Sequence, residues 1–168
     1  MVSAGTLVGP ADRGQGSCMG VGDAPGPPGA AGQRGRGTGP RALLVEDEPD
    51  VRLVLALMLA DELGPGARLE VANDGHRAIE LIEAGATPDL LLTGLDLPGC
   101  SGVEVVRRFR ERGGLGLVVV FSALAMVDAT RVQAALDAGA DVVVPKPDVA
   151  RLRDVLRRAP GLTGRRLQ

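Results

Sequence analysis

Residues 88–102 read PDLLLTGLDLPGCSG. Asp89-Leu90-Leu91-Leu92-Thr93 is a short apolar run bounded by turn residues. A run of that kind is the pattern of a strand buried on both faces of a sheet. The chain then turns through Gly94 to Ser101 and enters a helix near Gly102.

Similar units lie on both sides of this stretch. Upstream, 41–45 is a strand by composition, followed by Glu46-Asp47-Glu48-Pro49-Asp50. Acids and a proline suit a helix start, yet four acids in five residues exceed what capping needs. A helix over 49–63 follows, with an apolar stripe at 51, 54, 55, 58 and 59. Leu53 and Leu57 lie on another face and predict a contact surface for a partner or a second copy. Gly64-Pro65-Gly66 ends the helix. Residues 68–72 form a second strand with Leu69 and Val71 alternating, and 76–84 a short helix with Ala78, Ile79 and Ile82 inward. His76, the single histidine, has no second histidine or cysteine nearby and reads as a surface residue rather than a metal ligand.

Downstream, a helix over 102–112 buries Val103, Val106 and Phe109, and Gly113-Gly114 ends it. Residues 117–121 are a fourth strand, 122–125 a loop, and 126–138 a helix closed by Gly139. A fifth strand spans 141–145. Asp148 caps a last helix to about 158, with Val149, Leu152, Val155 and Leu156 inward. Five strands alternating with five helices call for an α/β fold, a parallel sheet covered on both faces. Strand order 2-1-3-4-5, the flavodoxin-like arrangement, is one of two common solutions. It places the fifth strand on an edge, where Pro145 is tolerated.

In such sheets the site lies at the carboxyl ends of the strands. Those ends carry Glu46 and Asp47 (strand 1), Gly94 (strand 3), Ser122 (strand 4) and Lys146 (strand 5). The spacing Gly94, Pro98, Gly102 and this set of strand-end residues resemble the response-regulator receiver family of two-component signalling. The resemblance covers residues 41–160. It implies that Glu46 and Asp47 hold Mg²⁺, that Lys146 and Ser122 contact a phosphoryl group, and that the Lys146–Pro147 bond is cis. In that family the strand-3 position is the aspartate that accepts phosphate. Here Gly94 has no side chain to do so. Val143 stands where the family usually has Tyr or Phe, and it lacks the aromatic ring that swings inward when the hydroxyl moves. Lys146 is the chain's one lysine beside 18 arginines, which suggests a need for a compact ammonium.

These readings predict a stand-alone receiver-like module, not an enzyme, that acts in a phosphorelay through protein contacts and is not phosphorylated at Gly94. Its expected partners are a histidine kinase, a phosphotransfer protein or another signalling protein, with a homodimer as an alternative. Mg²⁺ binding is expected to be weak, since the third carboxylate is missing unless Asp96 bends in. A second reading makes Asp96 a substitute phosphate acceptor. A third is an unrelated flavodoxin-like enzyme or nucleotide binder. Against that third reading, strand 1 is followed by acids instead of a glycine-rich phosphate turn.

Composition sets the remaining bounds. Residues 1–40 hold 12 of the 25 glycines and 5 of the 12 prolines, too few large apolar groups to offset ordering. They read as a disordered tail, and so do 161–168. A start codon assigned upstream of the true one would also account for the first segment. It has no apolar core after a basic start, so it does not read as a secretory signal. Residues 41–168 carry 16 basic and 19 acidic residues, no footprint for nucleic acid. Nothing after 160 reads as a DNA-binding domain, and no helix is long enough for a membrane. Two cysteines, Cys18 and Cys100, are too few for a disulfide scaffold or a zinc site, and a cytoplasmic setting fits.

Overall fold

The computed structural model describes residues 39–123 and 129–162. Five strands alternate with five helices: β1 (Arg41–Val45), α1 (Pro49–Leu63), β2 (Arg68–Ala72), α2 (Gly75–Glu83), β3 (Leu90–Thr93), α3 (Gly102–Glu111), β4 (Leu117–Ser122), α4 (Ala129–Asp137), β5 (Val142–Pro145) and α5 (Val149–Arg158). All strand pairs are parallel and the order is β2-β1-β3-β4-β5, as the sequence predicts.

Alternating strand residues supply two cores. On one face Ala42, Leu44, Leu90, Leu92, Val119 and Val144 pack with Leu55, Met58 and Leu59 of α1 and Leu152 and Leu156 of α5. On the other, Leu43, Val45, Leu91, Val118 and Val120 pack with α2, α3 and α4, including Ile82, Val106, Phe109 and Ala135. The inner strands therefore read as unbroken apolar runs, because both of their faces are covered.

Several inward positions differ from expectation. Val54 is 56% exposed. At about 100° per residue, the buried set of Leu55, Met58, Leu59, Glu62 and Leu63 centres on Leu55, which leaves Val54 at the flank. Leu53 and Leu57 fall opposite Leu55 and are 60% and 65% exposed, as expected. Val71 is also exposed, because β2 is an edge strand with a neighbour on one side only. In α3, Val105 is buried while Val103 is partly covered. The capping box of Ser101 and Glu104 starts that helix. The predicted start of the fourth helix at Met126 lies outside the described residues. So does most of both predicted tails, but Leu162, placed in the second tail, is buried against the α1/α5 core.

Glu62 is buried on α1 and receives hydrogen bonds from Arg153 (2.7 Å) and Arg157 (2.9 Å) of α5. At the end of the sheet remote from the strand carboxyl ends, Arg110 donates to the carbonyls of Gly114, Gly116 and Gly139, each at 2.9 Å, and to Asp141. One guanidinium thus joins the α3–β4 and α4–β5 turns through its fixed fork of donors.

Candidate functional site

The carboxyl ends of the strands converge as the topology requires. Val45 lies beside Thr93, Thr93 beside Val120, and Ser122 beside Pro145. Each strand stops there for a local reason. Pro49 and the acids begin α1, the β3 chain turns at Gly94, and Pro145 leads into a cis Lys146–Pro147 bond, as the resemblance implies. The Lys146 amide donates to the Ser122 carbonyl (3.1 Å), which binds the β5 exit to the β4 end. Ser122 is buried.

Glu46 and Lys146 meet directly. Glu46 is 1% exposed, and the Lys146 Nζ donates to its Oε1 at 2.8 Å. The lysine side chain is 17% exposed, and Glu48 Oε1 lies 3.8 Å from the same Nζ. Burying a carboxylate without such a partner is costly. Arg52, one turn into α1, donates to the carbonyls of Glu46 (2.8 Å) and Asp47 (3.0 Å) and braces the loop that carries them.

Gly94 occupies the end of β3, its amide donating to the Val45 carbonyl. A Cβ built there would lie 3.5 Å from Leu97 Cδ2 and 3.9 Å from Glu46 Oε2, both ordinary contacts. The position is therefore roomy as well as empty of a carboxylate. Gly102 is the opposite case: any Cβ on it would collide with the Gly94 carbonyl. Asp47 is exposed. Asp96 is exposed and forms an ion pair with Arg131 of α4. His76 is exposed, and its ring stands where a Cβ of Gly99 would go, which together with φ +82° reserves that position for glycine.

Mg²⁺ is a hard ion that wants several oxygen ligands in near-octahedral array. Among the described residues no three Asp, Glu, His or Cys side chains gather as a set that could hold a metal. The expected pair, Glu46 and Asp47, does not form a cage as arranged. Glu46 is engaged by Lys146, Asp47 faces solvent, and Asp96 is turned to Arg131. The roles of Arg52 and Arg131 were not legible in the sequence. Arg52 carries no signal beyond its place six residues after Glu46, and Arg131 lies 35 residues from its partner.

Residues 42–157 match the model of the response regulator receiver domain family. The chain is 36% identical over 123 residues to the DNA-binding response regulator MtrA of Mycolicibacterium smegmatis, a match covering 70% of this chain and 51% of that protein. It is 36% identical over 131 residues to the transcriptional regulatory protein TcrA of Mycobacterium tuberculosis, covering 75% and 49%. The chain thus spans about half the length of these relatives. Among solved structures it is similar to the receiver domain of a sensor histidine kinase from Pseudomonas aeruginosa PAO1, which has a magnesium ion coordinated in its active-site cleft. There the TM-score is 0.60 at 29% identity, over 71% of this chain and 96% of that one. It is also similar to the response regulator TrrA from Thermotoga maritima in complex with Mg²⁺-BeF, with a TM-score of 0.57 at 26% identity, over 70% and 96%.

Proposed function

The chain belongs to the response regulator receiver family, and on that premise we propose that it signals through protein contacts without forming an acyl phosphate at the end of β3. One observation carries this reading. The β3 terminus is Gly94, and the lysine that would face an acceptor carboxylate there is paired with Glu46 instead. In-line transfer needs a carboxylate oxygen roughly 3–3.5 Å from phosphorus, and Gly94 offers none. Asp96, the substitute candidate, is held toward α4 by Arg131. Mg²⁺ binding at Glu46 and Asp47 is correspondingly weak.

The partner is a histidine kinase, a phosphotransfer protein or another signalling protein, or a second copy. The exposed Leu53, Val54 and Leu57 of α1 form its contact surface. The setting is the cytoplasm. Among the described residues no helix is long and apolar enough to cross a membrane.

Labelling by acetyl phosphate with Mg²⁺ tests the reading. Wild type should form no base-labile phosphoryl adduct. Gly94→Asp, for which a Cβ has room, should gain Mg²⁺-dependent labelling that Lys146→Ala weakens. Wild-type labelling that disappears in Asp96→Asn would establish a displaced acceptor. A well-folded Gly94→Asp variant that takes no label would show that the pocket lacks more than its aspartate.

A further inference from the structure

We propose that residues 163–168, Thr-Gly-Arg-Arg-Leu-Gln, dock back into a groove at the amino ends of β3, β4 and β5, with Arg165 on Asp89 and Leu167 against Leu115. The groove lies at the opposite end of the sheet from Gly94 and Lys146. It has a volume of about 720 Å³ and opens between those strand ends and the end of α5. Leu117, Val142 and Val155 line it. They pack on the α1/α5 core and are only partly covered. Leu115 lines the same opening and is 96% exposed. A lone exposed leucine is ordinary, but four apolar side chains around one groove make a contiguous patch.

Charge narrows the occupant. Asp89 lines the groove, and its Oδ2 accepts the Arg41 amide at 2.8 Å. Among the described residues it has no cation partner. Asp141, the other acid lining the groove, is paired with Arg110. Arg158 also lines the groove, but it donates to Asp154 at 2.9 Å. The opening therefore presents a carboxylate without a cation beside an apolar wall. Its complement is a positive charge next to an apolar side chain.

The chain carries that combination where it leaves the groove. Leu162 lines the groove and is buried, so residue 163 starts at the wall. Arg165, Arg166 and Leu167 follow within five residues. At roughly 3.3 Å per residue, Leu167 can reach about 17 Å from Leu162. In an extended segment alternate side chains share a side, so Arg165 and Leu167 would face the groove together and Arg166 water. The tether makes the contact intramolecular, so an affinity too weak to hold a separate peptide suffices. Asp89 is exposed, and an exposed ion pair adds little. Leu167 supplies most of the affinity, and Arg165 sets the register.

NMR on the full chain with ¹³C-labelled Leu and Val methyls tests this. Nuclear Overhauser contacts should join Leu167 to Leu115 and to Val142 or Val155, with intensities unchanged on dilution. Leu167→Ser should shift the methyl signals of Leu115, Val142 and Val155 and leave those of Leu43 and Val106, on the other face of the sheet, in place. Leu167 lies outside the packed core, so this variant keeps the fold. Asp89→Asn retains an oxygen for the Arg41 amide. It should shift the same signals in the same direction by less, as should Arg165→Gln. Groove signals that do not move in Leu167→Ser would overturn the proposal. So would contacts that fade on dilution, which would make the occupant a second copy. No phosphodonor or metal enters the measurement, so the outcome is independent of phosphorylation at the other end of the sheet.

Discussion

Gly102 lies with its α-carbon against the carbonyl oxygen of Gly94, so closely that no side chain fits on Gly102. The same pair is joined through the turn by the Gly102 amide donating to Leu95 (2.8 Å). Gly102→Ala must therefore push backbone against backbone and should cost about 1–3 kcal/mol. Gly94→Ala adds a Cβ at ordinary contact distance and should stay within about 1 kcal/mol of wild type. Urea unfolding of the two variants checks the contrast, and equal losses would contradict it.

The Glu62 carboxyl is held below the usual carboxylate range, first by the Arg157 hydrogen bonds working against burial, with Arg153 adding its charge. A carboxylate whose folded value is depressed contributes stability that is complete above its unfolded value, about 4.3. That stability is lost as pH falls through the folded value. Glu62→Gln should cost about 1–2 kcal/mol at pH 7. The gap from wild type should begin to close below about pH 4.3 and vanish below the folded value. Chemical denaturation at pH 7, 5 and 3 measures it. A gap that does not change with pH would mean that packing, not charge, is what Glu62 supplies.

Leu57 and Leu59 sit two residues apart on α1 with opposite surroundings, one 65% exposed and the other 0%. Leu57→Gln should leave stability within about 0.5 kcal/mol while weakening capture of a kinase or phosphotransfer partner. Leu59→Ala should cost about 2–5 kcal/mol. Thermal melts alongside a binding titration separate the two effects. Unchanged partner affinity in Leu57→Gln would remove α1 from the contact surface.

Arg110 fills three carbonyls and the Asp141 carboxylate. Its replacement by Ala leaves these acceptors without their donor and should cost about 2–4 kcal/mol. Lysine should rescue little, because an ammonium cannot reproduce the planar fork. Equal stability of Arg110→Lys and wild type by urea unfolding would refute the argument.

Residues whose fate depends on chain-local physics were legible in advance. Leu90–Leu92 and Val118–Val120 read as doubly buried strands from composition, Pro145 marked an edge, and the strand ends named Glu46, Gly94, Ser122 and Lys146. What stayed hidden depends on how elements turn against each other. The rotation of α1 that exposes Val54 and buries Glu62 is set with α5, whose Arg153 and Arg157 lie more than 90 residues away. The pairing of Lys146 with Glu46 spans 100 residues. Sequence placed both groups at one rim, and it could not say which partner the ammonium takes. The burial of Leu162 also escaped notice, because a leucine after Pro160-Gly161 carries no periodicity of its own.

Pro145 ends the β5 edge in a particular orientation. The neighbouring Lys146 amide points inward to Ser122, so the strand alternation turns the ring nitrogen of Pro145 outward. A hydrogen-bond donor is thus missing from the open rim where another strand would attach. The opposite rim, β2, is five residues long and carries Arg68 and Glu70, which also discourages strand addition. Both rims are therefore poor templates for sheet extension, and association at high concentration is expected to run through the helices instead.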